Sequence, residues 1–406
     1  MANKVLHKIL FYGAVILMVI ACTEPYEFKD PVFESALVVE ATITDENKQQ
    51  SVMVSRSFPL DTIIMSGESG AVVQITDDTG SVFGFDHQGG GEYLSRVPFA
   101  AAEGRAYTLS ITTSDGNSYV SETSSLRAGS LIEDVYAVRE FTNDQLEGVF
   151  IYVDSYDPSN SATYYKYEYE ETYKIIAPFY IYDLEAYVIA PLPFPEVGLR
   201  PRSREEKTCY ATELSKNIIQ TSTADLNEDR VSRFPVRFIS RENYIVSHRY
   251  SILVKQYVQS REAFTYYATL KSLSSSESLF SQLQTGFLEG NIRSEQNESE
   301  KVIGFFEVSS VNQKRIFFNY EDLFPGEELP DYLIDCMVTS PPLFNIAGNS
   351  PLIDGIEFGL YDYYDNYDTE INPLNFEEYG PYLMVTAGCG DCTEFGSNIV
   401  PAFWEE

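Results

Sequence analysis

The five cysteines are the first candidates for chemistry in this chain. Cys22 follows an apolar segment, and the other four are Cys209, Cys336, Cys389 and Cys392. The last two form a Cys-x-x-Cys pair that could exchange disulfides, but the pair is not in a strand-to-helix context. An even number of cysteines in an oxidising compartment predicts two disulfides. We expect Cys389 and Cys392 to pair with Cys209 and Cys336, and the sequence leaves the connectivity open.

The segment before Cys22 predicts that this cysteine is lipidated. Lys4, His7 and Lys8 precede an almost entirely apolar run over residues 9–20, which is the pattern of a secretory signal peptide. The run is shorter than the roughly 20 residues that a transmembrane helix needs. The sequence Val-Ile-Ala-Cys at its end resembles the bacterial lipobox, in which the cysteine sulfur receives a diacylglycerol and the chain is cut before the cysteine.

Lipidation would attach the protein to a membrane. Each methylene buried in the bilayer contributes ~0.8 kcal/mol to the free energy of membrane binding, so two or three acyl chains make a stable anchor. We predict a signal peptide over residues 1–21 and a lipidated linker over residues 22–32, where prolines oppose a helix. Thr23, not aspartate, follows the cysteine, and Glu24 and Glu27 resemble the surface-export signals of Bacteroidota lipoproteins. We expect an outer-membrane location, and the sequence does not decide which side of that membrane the protein faces.

Few residues have the types and spacing that catalysis requires. Only His87 and His248 remain as histidines after the signal peptide, and neither a Gly-x-Ser-x-Gly elbow nor a His-Glu-x-x-His zinc motif occurs. A glycosidase needs only two carboxylates, and 61 acidic residues leave that alternative open. We predict that the protein is not an enzyme and has no catalytic residues, cofactor or metal site.

One acidic segment could instead bind a ligand. Residues 361–368 read Tyr-Asp-Tyr-Tyr-Asp-Asn-Tyr-Asp. Tyrosine rings can stack on sugars or apolar ligand faces, and carboxylates can hold calcium, but the spacing does not match an EF-hand loop. We interpret this segment as a solvated loop and leave the ligand-binding residues unknown. The formal net charge of −33 opposes binding to nucleic acid or anionic lipid, so we expect no nucleic-acid partner.

The elements that must position these residues are predicted to be mainly β. Over residues 33–128, short runs of alternating apolar residues are separated by turn signals such as Asp115-Gly116. This pattern predicts an N-terminal immunoglobulin-like β-sandwich. Residues 129–406 predict a larger β-rich, sandwich-like domain. It contains one long α-helix near residues 260–275, where the apolar residues fall at helical spacing.

Several motifs occur together in this chain: the lipobox, Leu279-Phe280, Gly290-Asn291-Ile292, Ile303-Gly304-Phe305-Phe306, and Cys389-x-x-Cys392 followed by Pro401-Ala402-Phe403-Trp404. Together they resemble the Bacteroidota outer-membrane lipoproteins called domain of unknown function 4249. A basic residue expected after the second cysteine of the tail is replaced here by Thr393-Glu394. Members are often encoded beside TonB-dependent transporters, and no activity is established for the family.

The resemblance implies a non-catalytic accessory or ligand-binding partner of a TonB-dependent outer-membrane transporter. An adhesin or matrix-binding surface protein is the alternative, and a hydrolase is the third possibility. The ligand, the partner and the oligomeric state are not specified by the sequence.

Overall fold

A computed structural model describes residues 35–57, 67–275, 288–367 and 379–406. The predicted signal peptide, Cys22, the linker over residues 22–32 and Leu279-Phe280 lie outside the described residues. No helix within the described ranges is long and apolar enough to cross a membrane.

Strands dominate the described chain, so the predicted mainly β, sandwich-like fold class is confirmed. In chain order the strands are β1 (Leu37–Thr44), β2 (Ser51–Arg56), β3 (Val72–Asp77), β4 (Val82–Gly89), β5 (Glu92–Ser95), β6 (Ala106–Thr112), β7 (Ser118–Ser121), β8 (Ser124–Ser125), β9 (Leu131–Phe141), β10 (Glu147–Tyr156), β11 (Tyr164–Ile176), β12 (Leu184–Ala190), β13 (Glu196–Pro201), β14 (Thr208–Leu214), β15 (Ile219–Ser222), β16 (Arg230–Ser240), β17 (Arg249–Val258), β18 (Ile292–Ser294), β19 (Val302–Asn319), β20 (Val338–Thr339), β21 (Tyr361–Asn366) and β22 (Tyr382–Thr386). The helices are α1 (Arg261–Ser275), α2 (Tyr320–Leu323), α3 (Pro351–Glu357) and α4 (Ala387–Gly390).

The first unit is a sheet that curves back on itself. Its hydrogen-bonded order is β19-β1-β2-β5-β4-β3-β6-β7-β18. Alternate residues of each strand point inward, so that Val39, Ile75, Leu109 and Phe306 share one core. The predicted alternation of apolar residues therefore places one face of every strand on this core.

This unit also takes strands from far along the chain. β1 pairs in parallel with the first half of β19, from Leu37 beside Val302 to Thr44 beside Ser309, and β18 pairs with β7. The prediction of an N-terminal unit over residues 33–128 did not include these strands. Local patterning marks the strands of a sheet, but it does not say which distant strand covers a free edge.

Two glycines and an asparagine from the family motifs close the sheet. Gly304 has φ +144°, and a Cβ there would lie 2.0 Å from the carbonyl oxygen of Val39. A Cβ on Gly290 would lie 1.5 Å from the carbonyl oxygen of Gly304. The Asn291 side chain donates to the Phe306 carbonyl at 2.8 Å and accepts from the Phe306 N–H at 2.7 Å. Only glycine allows these backbones to approach so closely.

The second unit has two sheet layers. β14-β11-β17-β19 form one layer and β16-β10-β9 the other, and a core rich in tyrosine lies between them. On β11, Tyr165, Tyr167 and Tyr169 are buried while Lys166 and Glu168 occupy the opposite face. β19 therefore runs through both units, pairing with β1 in its first half and with β17 in its second.

A smaller cluster lies beyond the end of β11. The β12–β13 hairpin packs with α3, β21 and β22 around Val197, Leu352, Ile353, Tyr363 and Met384. Residues 177–207, which separate β11 from β14, thus contain this hairpin. α1 lies elsewhere, at the junction of the two units, where its Ala263 and Tyr266 pack on Phe305 of β19.

Candidate functional site

Both cysteines of the Cys-x-x-Cys pair form disulfides to distant partners. Cys209 bonds to Cys392, and Cys336 bonds to Cys389. The predicted pair of disulfides is confirmed, and the structure supplies the connectivity that the sequence left open. The Cys209–Cys392 disulfide holds the last part of the chain against β14, and the Cys336–Cys389 disulfide cross-links two segments within that last part. This is a structural use of the motif.

The acidic tyrosine segment is also largely structural. The prediction of a solvated loop is wrong for Tyr361–Asn366, which form β21, while Asp368 lies outside the described residues. Asp362 accepts two hydrogen bonds of 2.8 Å from the Arg202 guanidinium. Tyr363 is buried in the small core. The segment forms a strand because Tyr363 covers that core and Asp362 pairs with the buried Arg202.

The two histidines are far from one another in the fold. His87 lies on β4 against the ring of Tyr93, with 5.0 Å between ring centres. His248 precedes β17 and packs against Tyr244. Burial, together with the positive charge of Lys174, lowers the pKa of His248. Within the described ranges, no three histidine, cysteine or acidic residues are grouped as a metal site would require.

The best candidate for a functional site is a cleft where the two units meet, which we call the junction cleft. It is a cavity of about 460 Å³. β1, β2, β11, β17 and α1 all contribute to its walls. The lining side chains that matter most for its chemistry are Glu40, Lys48, Met53, Lys166, Glu168, Lys216, Tyr257, Tyr267 and Leu270.

A charged group held between two aromatic rings forms one wall of the junction cleft. The Lys166 Nζ lies 5.3 Å from the centre of the Tyr257 ring and 5.2 Å from that of Tyr267, within cation–π range. The same Nζ lies 2.7 Å from Glu168 Oε1, and the Tyr257 hydroxyl donates to Glu168 Oε2 at 3.0 Å. The wall therefore presents aromatic faces, an ammonium group and a carboxylate together.

The ionisation states of this wall follow from its surroundings. Burial raises the pKa of Tyr257, and the adjacent Glu168 carboxylate raises it further, so the hydroxyl remains a neutral donor. Burial opposes the ionisation of Glu168, but Lys166, the Tyr257 hydroxyl and Lys255 together outweigh burial and lower the pKa of Glu168. Glu168 is therefore a carboxylate at neutral pH, and its charge is compensated within the wall.

A fully buried carboxyl group lies next to this wall. Glu307 on β19 is 2% exposed and accepts hydrogen bonds from the Ser260 N–H at 3.0 Å and from Gln259 Nε2 at 3.1 Å. Ser260 in turn caps α1, because its Oγ accepts from the N–H of Ala263. Burial raises the pKa of Glu307 to about 7. Glu307 thus joins β19 to the start of the helix that carries Tyr267.

We expect the free energy of unfolding to contain a component that falls as pH rises from 5 to 8. The folded protein keeps the proton of Glu307 up to about pH 7, whereas the unfolded carboxyl loses it near 4.5. At about 1.4 kcal/mol per pKa unit, this component is roughly 3 kcal/mol. Urea unfolding at pH 5 and pH 8 should show it in the parent protein and not in Glu307→Gln. An equal pH dependence in both proteins would contradict the assignment.

Another cavity, of about 670 Å³, lies at the turn between β9 and β10. Its lining cation Arg241 is compensated, since it lies 2.7 Å from Glu327 and 3.4 Å from Glu147. Among the described residues, Tyr320 is the one aromatic side chain in its lining, whereas the junction cleft has a cation between two rings, so we treat this cavity as a solvated groove.

Residues 23–315 match the family described as Domain of unknown function (DUF4249). The chain belongs to this family. No curated protein matches the chain. Among solved structures, the B domain of a biofilm-associated protein is 8% identical, and the alignment covers 71% of this chain and 89% of that one; its TM-score of 0.14 is too low to support any argument.

The residues matched to the family include the whole wall of the junction cleft, but they end before the C-terminal motif. In that motif, the Trp404 ring packs against Tyr210 at 4.8 Å and Phe317 at 5.8 Å between ring centres. The Arg315 guanidinium lies 3.6 Å from the centre of the Phe403 ring. These aromatic residues fasten the last segment to β14 and β19.

Sequence reasoning did not identify the residues of the junction cleft. Lys166 and Glu168 alternate with tyrosines along β11, a pattern that indicates a charged strand face but does not show what that face contacts. Glu307 offered a detectable signal, because it lies between Phe306 and Val308 in a strand that is otherwise apolar at that point. A lone carboxylate in such a run indicates a buried ionisable group, which is a candidate for function.

Proposed function

We propose that the protein is an outer-membrane lipoprotein of Bacteroidota that binds a ligand in the junction cleft, serves a TonB-dependent transporter and catalyses no reaction itself. The observation that carries this proposal is the lipobox-type sequence that ends at Cys22, immediately before the residues matched to the family. It supports export and lipid attachment of the β-rich body. The accessory role rests on the family resemblance.

The junction cleft supports binding of a polar ligand that also has an apolar face. Tyr257 and Tyr267 supply aromatic surface, while Lys166 and Glu168 supply a donor and an acceptor of hydrogen bonds. Carbohydrates have this combination of hydroxyl groups and apolar ring faces, and tyrosine is suited to contact both. We therefore take an oligosaccharide as the first ligand class to test.

The partner is tested by purifying the tagged, lipidated protein from its own membranes in a gentle detergent, followed by mass spectrometry. We expect a TonB-dependent transporter in near-equal amount, because a dedicated accessory protein forms a stoichiometric complex. The Cys22→Ser variant is the control and should no longer fractionate with membranes. Recovery of the lipoprotein alone would contradict the transporter role and make adhesion the next function to test.

Ligand binding is tested by calorimetry with neutral and uronic-acid-containing oligosaccharides. Replacing Tyr267 with alanine removes one aromatic face of the junction cleft, and we expect affinity to fall at least tenfold. Tyr156→Ala is the matched control, because this tyrosine lies on β10, outside the cleft, and contacts Arg230. Equal loss in both variants, or no binding by the parent protein, would contradict the assignment of the cleft.

A further inference from the structure

We propose that the end of the second unit that lies at the opposite end of β19 from Leu37 is a docking surface for a partner protein whose own surface is apolar at its centre and rich in lysine and arginine around it. We call this end the distal surface; it is formed by the β12–β13 hairpin, the loop over residues 340–349 and the segment that follows α3. The inference rests on the proposed function in one respect, the lipid anchor at Cys22.

Large apolar side chains are exposed on the distal surface. Phe194 at the tip of the hairpin is 83% exposed, and Ile346 in the loop is 87% exposed. Ile189, Leu192, Phe344 and Phe358 are exposed as well. Single exposed apolar residues are ordinary, but a concentration of them indicates a binding surface.

These exposed residues are neighbours in the fold, because the segments that carry them pack on one small core. Val188 and Leu199 of the hairpin, Leu343 of the loop and Ile356 of α3 all contact that core. The exposed side chains therefore project from the rim of a single cluster. A single continuous surface of one partner could therefore cover all of these exposed side chains.

The charge of this region selects the kind of partner. The sequence from residue 316 to residue 406 contains 18 aspartates and glutamates and no lysine or arginine. Glu196 of the hairpin and Asp354 and Glu357 of α3 are exposed, and in the described part of the chain none of them forms an ion pair. Unpaired carboxylates around apolar side chains are complementary to a basic surface with an apolar centre.

The arginines that the hairpin region contributes do not cancel this charge, because acidic side chains already bind them. Arg200 pairs with Glu185 at 2.6 Å, and Arg202 pairs with Glu206 and Asp362. A second copy of this chain would bring carboxylates against carboxylates, which repel. The charge therefore favours a different, basic protein over self-association.

The position of the distal surface favours a protein over the anchoring membrane. The chain enters the fold at Leu37, which lies beside Val302 at the start of β19. At ~3.3 Å per residue, β19 then spans ~56 Å to Asn319. The hairpin follows the end of β11 at Ile176, beyond the strand pairs that reach Phe318. The apolar residues thus lie at the other end of β19 from Leu37, where the chain enters the first sheet.

The test places a photo-crosslinking benzoylphenylalanine at Phe194 or Ile346 of the full lipidated protein in its native membranes. Matched control positions are Val72 and Val82 of the first unit, which are 63% and 59% exposed. We expect adducts with one protein at least ten times more abundant at the distal positions than at the controls. The cross-linked peptide should contain lysine or arginine beside apolar residues.

A pair of variants tests the energetic contribution of the same surface. Phe194→Ser combined with Ile346→Ser should reduce recovery of the cross-linked partner with the tagged protein at least tenfold, and so should Asp354→Lys combined with Glu357→Lys. The matched control, Val72→Ser combined with Val82→Ser, should leave recovery unchanged. Circular dichroism and thermal unfolding confirm that each variant is folded. Undiminished recovery from the folded distal variants would overturn the proposal.

The remaining outcomes separate this inference from the proposed function. Adducts with phospholipid, adducts with a second copy, equal adducts at the control positions, or no adducts overturn the docking surface. A transporter that co-purifies but cross-links only through the first unit overturns the docking surface and leaves the accessory function standing. Distal adducts with a basic protein that is not a transporter support the docking surface and contradict the accessory function.

Discussion

Replacing Cys209 and Cys392 with alanine is expected to lower the free energy of unfolding by about 4–5 kcal/mol. The disulfide joins residues separated by 183 positions, and the entropy that a cross-link removes from the unfolded chain grows with the length of the closed loop. Both cysteines are fully buried, and alanine, unlike serine, leaves no hydroxyl without a partner. Urea or guanidinium unfolding under oxidising conditions measures the loss.

The second disulfide supplies the matched comparison. Cys336 and Cys389 are separated by 53 positions, so the same loop-entropy relation predicts a loss about 1 kcal/mol smaller for their double alanine variant. A loss from the shorter loop that equals or exceeds that from the longer one would show that local packing, and not loop closure, dominates. Adding a reductant to the parent protein should reproduce the combined loss.

Replacing Arg202 with methionine is expected to cost roughly 3–5 kcal/mol, because it leaves the buried carboxylate of Asp362 without its cationic partner and leaves Glu206 paired with the exposed Arg204. The Arg202 side chain is 3% exposed, and it lies 2.6 Å from Glu206 and 2.8 Å from Asp362, which are 5% and 15% exposed. Its guanidinium also lies over the Tyr180 ring at 4.9 Å. Methionine fills a similar volume and cannot compensate either charge.

Arg200→Met is the control for this prediction. Arg200 lies two residues earlier, but its side chain is 58% exposed and pairs with Glu185, so the expected loss is below about 1 kcal/mol. Burial already raises the pKa of Asp362 in spite of Arg202, and without Arg202 this pKa should rise further. The Arg202→Met variant should therefore lose more stability at pH 8 than at pH 5. Equal losses from the two variants would contradict the role of burial.

Much of the second unit was predictable because its signals are local. The alternation of tyrosine with charged residues on β11 correctly separates the buried face from the exposed one, and α1 has the spacing of a helix that packs one side on a sheet. Gly304 and Asn291 were recognised only as parts of a family motif. The structure shows why these residue types are needed: they close the first sheet, where residues more than 250 positions apart in sequence meet.

The sequence by itself determined the class of the fold, the presence of two disulfides and membership of the family, because alternation, cysteine number and motif spacing are properties of short segments. The tertiary structure decided which cysteines pair, that β19 serves both units, and that Lys166, Tyr257 and Tyr267 meet in one cleft. Each of these outcomes depends on contacts between distant segments. Such contacts form because they bury whole faces of strands and helices and compensate buried charges. The residue pattern of a short segment does not show them.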